Sequence, residues 1–337
     1  MSATIAAYKV PSETNPLEQL SQAMSEDMAK TNQVIIDQMQ SDVPLIPQLA
    51  GYLIAAGGKR IRPLLTLACT RLFSANSTRC YGLAAAVEFV HTATLLHDDV
   101  VDESEERRGQ ATANDIFGNQ ASVLVGDFLF ARSFQLMVAD GSLDVLRVLS
   151  NAAAFIVEGE VLQLSIQSQM SVTMAQYSKV IEAKTASLFA AATEVGAWVS
   201  DRPDMAKAMH DYGYHLGMAF QIVDDLLDYL ADAEKLGKNK GDDFREGKFT
   251  APLILALQNA NEDERAFWLR TMVERKQTDG DFEQAVEICE RHNAFTQSRE
   301  LAIGHAQLAA QALDACPDSE LKHLLQALPA FVLSREN

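Results

Sequence analysis

The sequence predicts an all-α protein, and two features of the chain support this fold class. The 337-residue chain has no proline between Pro63 and Pro203, and residues 204–251 lack proline again. Both spans are rich in Ala, Leu, Glu, Gln and Met, which favour helices, whereas proline breaks helix interiors. Alternating apolar and polar runs, which are typical of strands, are scarce. We therefore expect a single domain over residues 1–337, built of roughly ten or more helices, with residues 1–16 mobile.

Three segments are predicted to form helices in the middle of a bundle, because each is apolar on more than one side. They read YGLAAAVEFVHTATLLH (81–97), SVLVGDFLFARSFQLMV (122–138) and HLGMAFQIVDDLLDYL (215–230). Glycine and polar residues predict loops at 57–58, 140–142 and 236–252. The more polar residues 260–337 are expected to form the outer helices.

The composition argues against several classes of protein. The formal net charge of −18 argues against nucleic-acid binding, which needs basic surface. No long uninterrupted apolar run predicts a transmembrane helix, and the first residues do not resemble a secretory signal. The cysteines have no metal-ligand spacing, so we expect them to be reduced and buried in a cytoplasmic protein. They are Cys69, Cys80, Cys289 and Cys316.

The stretch LLHDDVVDESEERRG (95–109) concentrates acidic residues next to an apolar run. In a helix, Asp98 and Asp102 share one face, whereas Asp99 points about 100° away. Two carboxylates on one face repel each other unless a cation lies between them, and Mg²⁺ is a hard cation that prefers oxygen ligands. The alternative interpretation is a solvated acidic turn at the end of a helix.

A second copy of the motif, QIVDDLLDY (221–229), favours the metal site. Asp224 and Asp228 repeat the spacing of the first pair, and Asp225 takes the position off the shared face. Carboxylates inside an apolar segment are costly to bury unless they are paired or bound to metal. We therefore predict a metal site formed by Asp98, Asp102, Asp224 and Asp228.

Basic residues follow or accompany these motifs. Arginine suits bidentate contacts with phosphate and lysine acts as a point charge, although any one of these residues could be ordinary surface charge. Together they predict two polyanion sites, one bridged by metal ions and one held directly by Lys and Arg. The basic residues concerned are Lys59, Arg60, Arg62, Arg107, Arg108, Lys184 (next to Thr185), Lys238, Lys240 and Lys248.

His91 precedes Asp98 by seven residues, which is about two helical turns, so it is expected on the same side of the helix. It could bind ligand or be a satisfied histidine of the core.

The ordered set of these motifs resembles the trans-prenyl diphosphate synthases. The segments GGKRIRP, LLHDDVVDESEERRG, KTA, FQIVDDLLDY and GKNKGDDFREGK match that family in order and with similar spacing, over about residues 50–255. Longer segments, including EGEVLQL, are similar to octaprenyl diphosphate synthases that make quinone side chains. The ending FVLSREN also resembles the short C-terminal tail of the family, which carries a basic residue. GKFTAP stands where relatives often read GKPTLP.

The resemblance implies a helical bundle around a central cavity, usually a homodimer, and a role for each matching residue. Asp98, Asp102 and Asp224 would hold three Mg²⁺ ions on an allylic diphosphate, with Asp228 acting through water. The allylic diphosphate and its metals would also contact Arg107, Lys184, Thr185, Gln221, Lys238 and Lys248. Isopentenyl diphosphate would bind Lys59, Arg62, His91 and Arg108. The expected catalytic residues are Asp98, Asp102, Asp224 and Lys184.

The implied reaction is the head-to-tail condensation of isopentenyl diphosphate with an allylic primer, expected to be farnesyl diphosphate. The expected product is octaprenyl diphosphate, with hepta-, nona- and decaprenyl diphosphate as alternatives. Terpene cyclases and head-to-head synthases share the metal chemistry but lack the GGKRIRP segment. A non-catalytic partner subunit would tend to lose the acidic motifs, which are complete here.

Product length is expected to depend on the helix that carries Asp98. Each helical turn rises about 5.4 Å, close to one isoprene unit, so small residues before Asp98 would leave a long tunnel open. Transient contact with a membrane during product release is also expected. The predicted tunnel residues are Ala93, Thr94, Val90, Ala86, Val87 and Leu83, with Phe134 or Met137 as the floor.

Overall fold

The computed structural model describes residues 15–55, 58–107, 109–167, 169–230 and 240–335, and most of them are helical. In chain order the α-helices are α1 (Pro16–Ala23), α2 (Ser25–Gln38), α3 (Leu45–Ala55), α4 (Ile61–Leu72), α5 (Arg79–Val101), α6 (Ala113–Phe117), α7 (Asn119–Asp140), α8 (Leu143–Ile166), α9 (Met174–Ile181), α10 (Ser187–Val199), α11 (Ala206–Leu230), α12 (Asp242–Arg245), α13 (Ala251–Gln258), α14 (Glu262–Trp268), α15 (Asp281–Arg291), α16 (Ala294–Ala312) and α17 (Glu320–Ser334).

Shorter elements complete the described chain. Two π-helical segments, Glu182–Ala186 and Leu269–Val273, follow α9 and α14, and a 3₁₀ helix, Pro203–Met205, precedes α11. The strands found in the described residues form one hairpin, in which each strand has two residues: β1 (Glu106–Arg107) and β2 (Gln110–Ala111). The predicted all-α class is therefore confirmed.

The first described residues already belong to a helix. The Asn15 side chain accepts a hydrogen bond from the backbone nitrogen of Leu17 at 2.9 Å, and Pro16 occupies the first helical position. Both features are common at helix N-termini. The prediction of mobility for residues 1–16 otherwise falls on residues outside the described part of the chain.

The buried helix α10 lies in the middle of the bundle, with α4, α5, α8 and α11 packed around it. Glycines allow this close packing. A Cβ atom added at Gly196 of α10 would lie 2.5 Å from the Cβ atom of Cys69 on α4. Cys69, Cys80, Cys289 and Cys316 are free thiols and are buried, as the sequence predicts.

Helix α7 packs along α5 and leaves one side exposed. Of the described helices, α7 alone is long and apolar enough to cross a membrane, judged by length and composition. Features other than a membrane span account for its apolar character. Val125 and Leu129 are buried against the core, and Leu124 and Val138 form an exposed apolar face on the opposite side.

The π-helical segment Glu182–Ala186 is held between two helices at glycine residues. A Cβ atom at Gly159 of α8 would lie 2.5 Å from the Cβ atom of Ala183, and one at Gly217 of α11 would lie 2.7 Å from the Cα atom of Ala186. π-Helical turns occur frequently at functional sites. Here the segment carries Lys184 and Thr185 on the wall of a large cavity.

Candidate active site

A cavity of about 930 Å³ opens between α5, α8, α11 and the segments that follow the two acidic motifs. Among the described residues that the sequence predicts to bind metal or diphosphate, all but Lys240 line this cavity, whereas Arg108 and Lys238 lie outside the described residues. The lining residues are Lys59, Arg62, His91, Asp98, Asp102, Arg107, Lys184, Thr185, Gln221, Asp224, Asp228 and Lys248.

The first acidic motif lies at the C-terminal end of α5. The helix ends at Val101, and the backbone nitrogen of Asp102 still donates to the carbonyl oxygen of Asp98 at 2.8 Å. The two aspartates therefore keep their helical relationship. Burial raises the pKa of Asp98; the ammonium group of Lys184 opposes this shift, and the negative charge of Asp102 adds to it.

The second acidic motif lies near the C-terminal end of α11. Asp224 Oδ1 is 2.9 Å from the guanidinium group of Arg335, which belongs to the C-terminal tail. The carboxylate of Asp228 accepts hydrogen bonds from the backbone nitrogens of Asp242 and Asp243, both at 3.1 Å. Burial and the charge of Asp243 nevertheless raise the pKa of Asp228 to about 7.

Two lysines of the site are paired with carboxylates. Lys184 Nζ lies 2.7 Å from Glu160 Oε2 and donates to Gln163 Oε1 at 3.1 Å. Lys248 Nζ lies 3.0 Å from Asp102 Oδ2 and also contacts Glu246. Burial disfavours the charged form of Lys248, but the surrounding carboxylates outweigh burial and raise its pKa. A bound diphosphate could replace these carboxylates as the partner of both lysines.

A second cationic group lies on α4 and the segment before it. Arg62 is 3.2 Å from His91 Nε2, and its guanidinium carbon lies 4.4 Å from the centre of the Phe189 ring. Lys59 is exposed on the same wall of the cavity. His91 thus lies on the cavity wall and not in the closed core.

The structure adds residues to the cavity wall that the sequence did not identify as part of the site. Glu160 and Gln163 lie in the segment EGEVLQL, where a carboxylate in an apolar helix was the available signal. Burial, and then the nearby Asp98, raise the pKa of Glu160. Tyr177 and Asp243 gave no comparable signal. For Arg335 the signal was the tail FVLSREN, but its contact with Asp224 is a tertiary feature.

The predicted product tunnel is largely wrong. Thr94 lines the cavity, together with Thr92, Leu95 and Leu96 of the same helix. The other predicted residues of α5 are fully buried in the hydrophobic core and do not line it, because α5 is apolar all round and periodicity could not identify the open face. They are Ala93, Val90, Ala86, Val87 and Leu83.

Neither predicted floor residue lines the cavity. Phe134 is exposed on the outside of α7, and Met137 is fully buried in the core. The apolar part of the cavity instead extends towards Ile35 and Met39 of α2 and Leu53 of α3.

The arrangement fits Mg²⁺ that is bound together with a phosphate ligand. Among the described residues, no group of three or more His, Cys, Asp or Glu side chains could hold a metal ion by itself. Mg²⁺ is usually held by one or two carboxylates, water and substrate phosphates. Asp98 and Asp102 at the end of α5, and Asp224 on α11, resemble such incomplete sites, which substrate oxygens would complete.

The fold and the cavity define a class of protein: helical enzymes that bind diphosphates at paired aspartate motifs. The sequence matches the polyprenyl synthetase family over residues 43–289. The chain belongs to this family, and it is a prenyltransferase.

Relatives with similar sequences and structures support this assignment. The chain is 44% identical to octaprenyl diphosphate synthase of Escherichia coli K12, over 95% of this chain and 99% of the relative. A decaprenyl diphosphate synthase structure from Rhodobacter capsulatus has a TM-score of 0.92 and 50% identity, covering 96% of this chain and all of the other. A polyprenyl synthase from Caulobacter crescentus, complexed with calcium and isoprenyl diphosphate, has a TM-score of 0.92 and 48% identity, with 97% and 100% coverage. That complex fits the use of a divalent metal.

The raised pKa of Asp228 predicts a pH dependence of stability. In the metal-free protein this carboxyl group stays protonated up to about pH 7, whereas it ionises near its ordinary value of 3.8 when the chain unfolds. The folded state then holds more protons, so this group's contribution to stability is lost as the pH rises towards and through 7. We expect the melting temperature, measured with EDTA from pH 5.5 to 8, to fall more steeply for the wild type than for Asp228→Asn. Parallel melting curves would contradict this prediction.

Proposed function

We propose that this prenyltransferase adds isopentenyl diphosphate head to tail to farnesyl diphosphate until it reaches octaprenyl diphosphate, a precursor of quinone side chains. One observation carries the proposal: two aspartate motifs and a separate Lys59–Arg62–His91 group line one cavity that continues into an apolar region. The first arrangement suits a diphosphate bridged by metal. The second suits a diphosphate bound directly by cations.

The allylic substrate is assigned to the side of the two aspartate motifs. Asp98, Asp102 and Asp224 would hold three Mg²⁺ ions, and Asp228 would act through water. Mg²⁺ bound there supplies a Lewis acid that stabilises the departing diphosphate. Cationic and polar side chains would contact the same diphosphate directly: Arg107, Lys184, Thr185, Gln221 and Lys248, with Lys238 expected from the sequence.

Isopentenyl diphosphate is assigned to Lys59, Arg62 and His91, with Arg108 expected from the sequence. Cations on this side fix the second diphosphate so that the isopentenyl double bond faces the allylic carbon. The carbon–oxygen bond of the allylic substrate breaks, the double bond attacks that carbon, and the departing diphosphate takes the released proton. The apolar wall, including Leu95 and Phe220, keeps water from the developing cation.

The alternative prenyl synthase activities differ in the length of the product and share the same chemistry. The named relatives include octaprenyl and decaprenyl synthases, so analysis of the product decides between these chain lengths. A terpene cyclase would not need the Lys59–Arg62–His91 group, and a non-catalytic subunit would not need both complete aspartate motifs. A cytoplasmic location, with transient membrane contact during product release, remains part of the proposal.

The proposal predicts Mg²⁺-dependent activity of the purified single chain. Radiolabelled isopentenyl diphosphate and farnesyl diphosphate should give a polyprenyl product, and chromatography against standards measures its length. Asp98→Ala, Asp102→Ala and Asp224→Ala should each lower turnover by orders of magnitude with little change in the melting temperature. A wild-type chain that incorporates no isopentenyl diphosphate with any allylic primer would refute the function, and a cyclised product would favour the terpene cyclase.

A second prediction separates the two diphosphate sites. Lys59→Ala or Arg62→Ala should raise the Michaelis constant for isopentenyl diphosphate, because a lost charged phosphate contact costs about 1.5–3 kcal/mol, roughly 10- to 150-fold. Lys184→Ala should act mainly on the Michaelis constant for farnesyl diphosphate. The two-site assignment fails if all three changes raise the same constant.

A third prediction concerns product length. Thr94 lines the cavity close to the first motif, so the ring in Thr94→Tyr should block the apolar region and shorten the product. Ala93→Tyr is the matched comparison, since Ala93 is fully buried in the core and overpacking there should lower stability by about 1–3 kcal/mol. Reversed-phase chromatography and thermal unfolding measure the two effects. Full-length product from Thr94→Tyr would contradict the cavity assignment.

The proposed function includes a homodimer, which the exposed side of α7 and α8 supports. Exposed apolar residues recur at spacings of three, four and seven, the pattern of helices that pack side by side. The two helices lie next to each other, so two copies of this surface would form a four-helix contact. The exposed residues are Leu124, Ala131, Phe134 and Val138 on α7, and Ala154, Val157, Val161 and Leu164 on α8.

A fourth prediction tests this surface. Leu124→Glu should dissociate the dimer, because a two-fold contact would bury two unpaired carboxylates. Leu308→Glu is the matched control, since Leu308 is exposed on α16, away from this surface. Sedimentation velocity should show a monomer for the first variant and a dimer for the second. A monomeric wild type, or a Leu124→Glu variant that stays dimeric, would refute this interface.

A further inference from the structure

We infer that Asp99 and Asp225, the middle aspartates of the two motifs, are positioning residues that orient the side chains binding the allylic diphosphate. The inference rests on the proposed function, because it assigns these residues a role in that same site. Each aspartate lies about 100° around its helix from the preceding aspartate of its motif. Each is only 4% exposed.

Asp99 is bound to Arg107. The Arg107 Nε atom donates to Asp99 Oδ1 at 2.8 Å, and a terminal guanidinium nitrogen lies 2.7 Å from the same oxygen. The carbonyl oxygen of Asp99 also accepts a hydrogen bond from the backbone nitrogen of Ser104 at 2.9 Å. Asp99 therefore fixes both the start of the turn that leads to the hairpin and the arginine that the hairpin carries.

The held arginine lies near the first metal pair. Arg107 lies on the wall of the same cavity as Asp98, the carboxylate that would hold metal. The side chain of Arg107 keeps about a third of its surface exposed, which leaves donors available to a ligand in the cavity. Without Asp99, an arginine on a short hairpin would sample many rotamers.

Asp225 organises a chain of three hydrogen bonds. Its Oδ2 atom accepts from the hydroxyl of Tyr177 at 2.6 Å, and its Oδ1 atom accepts from Gln221 Nε2 at 2.8 Å. Gln221 Oε1 in turn accepts from the hydroxyl of Thr185 at 2.7 Å. Asp225 bridges Tyr177 and Gln221, so it holds the Gln221 amide in place, and that amide directs Thr185.

The two motifs thus follow one plan. In each motif, the outer aspartates share the helix face that would hold the metals. The middle aspartate contacts a side chain that leads to a neighbouring element. For Asp99 that element is the β1–β2 hairpin. For Asp225 it is α9 through Tyr177 and the π-helical segment through Thr185. Both oxygens of Asp225 are already occupied, which argues against its use as a metal ligand.

The test compares Asp99→Asn and Asp225→Asn with two reference variants. Asp98→Asn represents loss of a metal ligand. Asp281→Asn is the matched structural control, because Asp281 is also buried and paired with an arginine, Arg270 at 2.7 Å, but does not line the cavity. The measurements are the Michaelis constant for farnesyl diphosphate, the half-saturating Mg²⁺ concentration, the melting temperature, and calorimetric binding of inorganic diphosphate at fixed Mg²⁺.

We expect Asp99→Asn and Asp225→Asn to raise the Michaelis constant for farnesyl diphosphate roughly 10- to 100-fold, because each change disturbs the hydrogen bonds that orient Arg107 or Gln221. Inorganic diphosphate should bind more weakly by a similar factor. The half-saturating Mg²⁺ concentration should stay within about twofold of the wild type, whereas Asp98→Asn should raise it well beyond that range. Asp99→Asn should add little to Arg107→Gln, because both changes remove one interaction.

Two results would overturn the inference. If the middle-aspartate variants shift the Mg²⁺ dependence as Asp98→Asn does, they are metal ligands. If they only lower the melting temperature, as Asp281→Asn should, their role is structural. Should Asp225→Asn fail to fold, Tyr177→Phe removes one donor to the same carboxylate and should raise the same Michaelis constant by a smaller factor. A wild type without isopentenyl incorporation would instead refute the proposed function.

Discussion

The organisation of this protein depends on holding like charges close together inside a helical bundle. Asp98 and Asp102 at the C-terminal end of α5, and Asp224 and Asp228 on α11, line one cavity, in a chain whose formal net charge is already −18. Burial raises the pKa of Asp98 and Asp228, which shows that the folded protein alone does not fully compensate these carboxylates. Such a site is costly without ligands and gains stability when cations enter it.

The surrounding fold supplies partial compensation from separate parts of the chain. Lys184 comes from a π-helical segment, Lys248 from the loop after α12, Arg107 from a hairpin and Arg335 from the C-terminal tail. Each of these cations is paired with a carboxylate at the cavity. Because they lie on different elements, the cavity also ties those elements together. Helix α10 packs closely against α4 at Gly196, and it also packs against α5 and α11. This central packing keeps the two helices that carry the aspartate motifs in place.

Some features of this site could be predicted from the sequence, and others could not. Spacing alone placed Asp98 with Asp102 and Asp224 with Asp228, because a helix fixes which residues share a face. The pairing of Lys184 with Glu160, and of Asp224 with Arg335, joins residues far apart in sequence, so periodicity could not predict it. The tunnel failed for another reason. Helix α5 is apolar on all sides, so Ala93 and Thr94 looked equivalent, although only Thr94 meets the cavity. The packing of α5 in the folded protein decides which of these two residues lines the cavity.

Under the proposed assignment, the ion pairs of the ligand-free protein imply that metal and diphosphate bind cooperatively. Lys248 pairs with Asp102 as well as Glu246, and Arg335 pairs with Asp224, so two of the proposed metal carboxylates already have a cation as their partner. If the carboxylate held Mg²⁺, the ammonium or guanidinium group would be released and would suit an arriving phosphate. Diphosphate, in turn, attracts that side chain and exposes the carboxylate to metal. Each exchange alone would leave a half-buried charge with one partner fewer. The same pairs that stabilise the cavity before binding therefore couple its two ligands.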